Sequence, residues 1–216
     1  DNLKYPILNH EYINRLNYSR YYIDRRFHIT PPGIETRFKI DENYELTEPY
    51  THQEATFIGI NRVLDILKTS NTGEILFFTY SSKECIDICN KLNKETSYNI
   101  IALPFFRNVL PKYRKYIEDL SSYKKDINFE KDSIVDIFIG KKEKKKIYNK
   151  MQYDRIIIVA TNIAEASITI NNLKFVVDLG LHLVVSYNPY NNIQEVTIKQ
   201  ISESSRIQRK GRVGRK

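Results

Sequence analysis

Three short stretches of the chain are almost continuously apolar, and the segments between them carry apolar residues at every third or fourth position. Glu74–Tyr80 (EILFFTY), Tyr98–Leu103 (YNIIAL) and Asp154–Ala160 (DRIIIVA) are the apolar stretches. Their patterning predicts strands buried on both faces. Thr51–Lys68 sets Ala55, Ile58, Val63, Leu64, Ile66 and Leu67 at near-helical spacing, and Lys83 to about Asn93 does the same with Cys85, Ile86, Ile88, Cys89 and Leu92. Ser81-Ser82 stands where a cap for that second helix is needed. Pro104 is expected to end the second strand, and Pro111 to open a helix through about Leu120. Lys141–Met151 predicts a basic helix, whereas SIVDIFIG, within 121–140, fits either a strand of the sheet or a local insertion. Strands alternating with helices imply parallel βαβ units and an open doubly wound sheet, whose ligands sit beyond the carboxyl ends of its strands. That rule gathers Ser81, Thr161 and the segment after Asp178 on one edge. Residues 1–24 are polar and tyrosine-rich and read as a connector or the remnant of a preceding lobe, while FHITPPGIETRFKI suggests a strand, a turn and a second extended piece.

Composition narrows the partners. At 216 residues the chain can close one large core or two small ones. Its 34 Lys and Arg against 26 Asp and Glu leave a net charge of +8, which favours a polyanion. The 16 tyrosines and the absence of tryptophan, with runs of Asn, Ile and Lys, reflect AT-rich coding rather than chemistry. Cys85 and Cys89 alone cannot make a four-ligand zinc site and are expected as buried thiols in a reducing compartment. His10, His28, His52 and His182 show no ligand spacing, so no metal ligands are expected. No apolar run approaches the roughly 20 residues that span a bilayer and no signal peptide is visible, so the protein reads as soluble and intracellular, in cytoplasm or, if viral, in a virion.

The strongest chemical signal is the terminal segment from Ser205 to Lys216, SRIQRKGRVGRK. Arg206, Arg209, Lys210, Arg212, Arg215 and Lys216 crowd around Gly211 and Gly214. Charge alone fits a solvated basic tail, but arginines at fixed offsets also suit a polyphosphate or nucleic acid, because the planar guanidinium grips phosphate with two parallel bonds. A second candidate is VATNIAEASITI, 159–170, which puts Thr161 and Asn162 at a helix start where a phosphate is welcome, or where a simple cap would sit.

In this order, QRxGRxGR at Gln208–Arg215 and VATNIAEASITI resemble the sixth and fifth signature motifs of superfamily 2 helicases of the DEAH and DExH branch. FFTYSSKECIDICNKL, 77–92, resembles the fourth, and ALPFFRNVLP, 102–111, the strand-to-loop piece after it. FVVDLG and SYNP resemble the pieces that precede a β-hairpin in that family, so Leu181–Lys199, turning at Asn188–Asn192, is expected to be that hairpin. The terminal string is also similar to the poxvirus nucleoside triphosphate phosphohydrolase group of RNA helicases. The resemblance covers residues 25–216 and implies a RecA-like α/β domain, an open parallel sheet with helices on both faces and an inserted hairpin.

The resemblance also implies roles. Arg212 and Arg215 would reach the γ-phosphate of ATP on a partner lobe, and Gln208 would orient the attacking water. Arg209 would pair with an acid to hold the motif's shape and Asp178 would fix the loop beneath; apart from the resemblance, Glu165 is a candidate to orient motif residues by accepting backbone hydrogen bonds. Ser167, Thr169, Tyr148 and Asn171 would meet the nucleotide, Asn171 standing where relatives usually show aspartate. Ser81, Ser82, Lys83, Thr161, Asn162 and Arg107 would hold one strand of RNA or DNA by its backbone. No GxxxxGK[ST] loop and no DExH string occurs in the chain. ATP with magnesium would therefore be held mainly by a first RecA-like lobe elsewhere in a longer polypeptide, this chain being the second lobe cut after its sixth motif. A non-catalytic nucleic-acid-binding module is the alternative.

Overall fold

In the computed structural model the described residues are 38–142 and 153–214, without 48, 96, 119–130, 167, 169 and 171. Residues 36–216 form one compact unit. The expected connector, the strand-turn piece from Arg25 and most of the predicted basic helix lie outside the described residues. Lys141 and Lys142, at the start of that predicted helix, lie in a bend, where Lys142 pairs with Asp136 at 3.0 Å.

The described elements run α1 (His52–Thr69), β1 (Glu74–Phe78), α2 (Ser82–Asn93), β2 (Ile100–Phe105), α3 (Pro111–Glu118), α4 (Ile134–Phe138) and β3 (Arg155–Ala160). A one-turn 3₁₀ helix (Asn162–Glu165), β4 (Leu173–Asp178), the hairpin β5 (Leu181–Asn188) and β6 (Ile193–Gln200), and α5 (Glu203–Lys210) complete them. Four strands make a parallel sheet in the order β2-β3-β1-β4, and β5 pairs only with β6. The three apolar stretches become β1, β2 and β3, every residue of which is buried.

Local chemistry explains the element ends. Thr51 and Ser81 cap α1 and α2 by accepting from the amides of Glu54 and Glu84, each at 3.1 Å. Gly59 brings α1 onto the sheet: a Cβ there would lie 2.7 Å from both Phe77 Cζ and Leu179 Cδ2. β2 is an edge strand, which explains why it runs through Pro104 to Phe105 instead of stopping before the proline, as the sequence suggested. A proline on an edge need not donate to a neighbour. The same edge would leave Ala102 with unpaired backbone groups in the core. Buried Asn93 closes them, its Oδ1 accepting from Ala102 N at 2.7 Å and its Nδ2 donating to Ala102 O at 3.0 Å.

Two expectations change. Of the two readings left open for SIVDIFIG, the sheet strand falls away: IVDIF lies outside the sheet as the short helix α4, whose four apolar residues are buried and whose Phe138 stacks on Tyr113 at 4.7 Å. Short apolar runs of this length carry no periodicity that separates helix from strand. Residues around Phe175 to Asp178 are not just a lead into the hairpin but a fourth sheet strand paired with β1.

Phe77 is fully buried on the central strand against α1. Phe77→Ala is expected to lower the unfolding free energy by about 3–5 kcal/mol in a denaturant titration, through lost transfer energy and the cavity left behind.

Candidate functional site

Because the four strands are parallel, their carboxyl ends lie on one edge. In spatial order that edge carries Phe106-Arg107 after β2, Thr161-Asn162 after β3, Tyr80-Ser81 after β1 and Leu179-Gly180 after β4. Arg107, Ser82, Lys83 and Asn162 are exposed, and Ser81 and Thr161 half-buried, so the sequence-predicted strand-contact residues are brought to a common edge. Ser81 already serves as a helix cap. Beside it, burial pushes the Tyr80 phenol up to about 12, with the Glu84 carboxylate adding to the shift.

Thr161 and Asn162 do not open an ordinary α-helix. The element they start is a four-residue 3₁₀ turn, and the Thr161 amide donates to Phe105 O at 3.2 Å. The Thr161 amide is thus taken by β2, and a single 3₁₀ turn aligns few peptide dipoles toward an anion.

The organising contact is made by Arg209 on α5, 1% exposed. Its Nε donates to Glu165 Oε1 at 2.8 Å and one terminal nitrogen to Asp178 Oδ1 at 2.7 Å. The guanidinium carbon sits 4.8 Å from the Phe78 ring centroid. Asp178 Oδ1 also accepts from Gly180 N at 2.9 Å, fixing the turn into β5, where Gly180 has φ +69°. The structure gives Arg209 and Asp178 the holding roles expected of them. Glu165 differs: its carboxylate receives side-chain donors, Arg209 and the Ser205 hydroxyl at 3.3 Å, rather than backbone amides.

Arg212 is half-buried, its guanidinium donating to the carbonyls of Ile168, at 3.1 Å, and Glu165. Gln208 is exposed on α5. Arg215, Ser167, Thr169, Asn171 and Tyr148 lie outside the described residues.

The terminal charges are therefore not simply waiting for an external anion. Glu42 accepts from Arg206 at 2.7 Å and Lys210 at 3.2 Å, and Glu203 also pairs with Arg206. The hydrogen bond from the Tyr44 hydroxyl, and then Lys210, hold the Glu42 carboxyl below the usual carboxylate range; Glu203, first, raises Arg206. Sequence reasoning missed Glu42 and Tyr44. The acidic run DENYE, 41–45, in a basic chain was the available signal.

Residues 59–216 match the family model described as the helicase conserved C-terminal domain. The chain belongs to this family, in the DEAH/DExH branch of superfamily 2. It is 33% identical to protein R366 of Acanthamoeba polyphaga mimivirus over an alignment of 228 positions that covers all of this chain and 12% of that protein. It is 28% identical to the ATP-dependent RNA helicase HrpA homolog of Haemophilus influenzae, over 73% of this chain and 10% of that protein. The DExH-box ATP-dependent RNA helicase DExH6 of Arabidopsis thaliana is 40% identical over 34% of this chain and 6% of its own length. The chain thus spans a small part of these relatives. The crystal structure of the Escherichia coli DExH-box NTPase HrpB shares the RecA-like fold, with a TM-score of 0.52 at 18% identity over 79% of this chain and 17% of that one.

Arg209→Met removes the counter-charge that Glu165 and Asp178 share and is expected to cost about 3–5 kcal/mol of stability. Arg209→Lys should recover only part of this, because one ammonium cannot reproduce two divergent guanidinium bonds. Denaturant midpoints of the two variants check both statements.

Proposed function

We propose that this chain is the second motor lobe of an ATP-dependent RNA helicase. The observation that carries the reading is the tie between two motifs: Arg209 of QRKGRVGR bonds Glu165 of VATNIAE, which follows the strand-contact residues Thr161 and Asn162. The connection thus links the helix that precedes Arg212 to the edge proposed to hold nucleic acid. The names of the Haemophilus and Arabidopsis relatives, both ATP-dependent RNA helicases, support the same activity for the whole protein.

Arg212 and Arg215 would contact the γ-phosphate of ATP bound on a first RecA-like lobe of the same polypeptide, with Gln208 orienting the attacking water. Neutral carbonyls now accept from Arg212. A phosphate oxygen is the stronger acceptor, because charge-assisted hydrogen bonds are roughly twice as strong as neutral ones. Closure of the lobes would exchange one set of acceptors for the other, stabilising charge as the phosphoryl group transfers. Ser167, Thr169, Tyr148 and Asn171 would line the nucleotide from this side. Magnesium would be held with the ATP, mainly by the first lobe.

Ser81, Ser82, Lys83, Thr161, Asn162 and Arg107 would grip the backbone of one strand, making binding salt-dependent and largely blind to sequence. The β5–β6 hairpin, with Tyr190 exposed at its tip, would part a duplex ahead of that strand. No helix among the described residues is long and apolar enough to cross a membrane.

Two measurements on the full-length protein test this reading. Arg215→Ala should cut ATP turnover by about 10³-fold or more while single-strand affinity stays within about twofold; unchanged turnover would end the arginine assignment. Lys83→Ala and Arg107→Ala should each lower the slope of log affinity against log salt by about 1, equally for unrelated RNA sequences.

A further inference from the structure

Resting on the proposed motor function, we infer that residues 38–45 form a positioning strap for the loop that carries Arg212, with Glu42 as its positioning residue. The strap meets that loop backbone to backbone: Phe38 N donates to Gly214 O at 3.1 Å. Gly214 has φ +77°, and a Cβ there would lie 3.0 Å from both Phe38 O and Ile40 Cγ1. A glycine is required at this crossing for its left-handed backbone and for the close approach.

Further along, the strap engages α5. Arg206 and Lys210 are one helical turn apart and share a face. Glu42 spans both, and the Tyr44 hydroxyl donates to Glu42 at 2.6 Å while accepting from Arg206. The Arg206 guanidinium also lies 5.9 Å from the Tyr44 ring centroid. Arg209, on another face, is fastened to the sheet side by Glu165 and Asp178. The helix is held on two sides, and the loop after it at two points, by Arg212 on the 165 and 168 carbonyls and by Gly214 on Phe38.

Magnitudes separate positioning from mere stabilisation. Glu42 and Arg206 side chains are each 33% exposed, and exposed ion pairs add little to folding. Misplacement of a catalytic group by about 1 Å, in contrast, can slow a reaction by about 10²-fold. Loss of Glu42 should therefore leave the fold standing and slow the chemical step.

The test uses the full-length protein, comparing Glu42→Gln, Glu42→Asp and Arg215→Ala. Glu42→Gln is expected to lower kcat for ATP about tenfold, with KM for ATP and single-stranded RNA affinity within about twofold and the melting temperature little changed. Glu42→Asp, which keeps a carboxylate to accept from Arg206 and Lys210, is expected to retain most of kcat. If Arg215→Ala abolishes turnover while Glu42→Gln equals wild type, the strap inference is wrong and the motor reading stands. A fall in kcat matched by an equal loss of RNA affinity or a collapse of melting temperature also overturns the strap, as a structural contact only. If Arg215→Ala leaves turnover intact, the motor reading itself fails and the strap with it.

Discussion

A buried guanidinium needs its partners in place, because taking a charge out of water costs several kcal/mol unless it is paired and hydrogen-bonded. Arg209 meets that requirement with Glu165 after β3 and Asp178 at the end of β4. Three stretches distant in sequence are thereby fixed to one another at the sheet edge. A slip of α5 by one residue would move Arg209 off both carboxylates and leave three charges unmatched. This constraint sets the position of everything that follows in the chain, including Arg212 and the Gly214 turn.

The charge on this terminal segment is better described as a network than as a reservoir. Arg206 and Lys210 are engaged by Glu42, Arg209 by Glu165 and Asp178, and Arg212 by carbonyls. Strand gripping is consequently ascribed to the other end of the edge, where Lys83, Arg107 and Asn162 are exposed. The sheet order separates the two proposed tasks: the residues proposed to contact the strand follow β2, β3 and β1, whereas α5, which packs on β4, precedes Arg212.

The buried strands and the helices α1 and α2 were legible because their signals are local: continuous apolarity in FF and III, a helical apolar period, and for α2 a serine before it. The hairpin and the pairing of Arg209 with an acid followed from motif resemblance. Pro104 misled because its tolerance depends on β2 lying at the edge, a property of topology. α4 was undecidable, five residues being too few for a period to show. The 3₁₀ turn after Thr161 replaced an expected helix start because the chain turns within four residues. Glu42 was invisible for a different reason: it meets Arg206 from 164 residues away, and no spacing rule reaches that far.

The central claim is that the Arg209 clamp holds a loop whose arginines face a nucleotide on another lobe. It is tested most directly by a crystal structure of the full-length protein with RNA and an ATP transition-state mimic such as ADP with aluminium fluoride. The account predicts Arg212 and Arg215 within hydrogen-bond distance of the fluoride that stands for the γ-phosphoryl group, with Arg209 still between Glu165 and Asp178. A closed nucleotide site in which no arginine of this chain touches that group would contradict it.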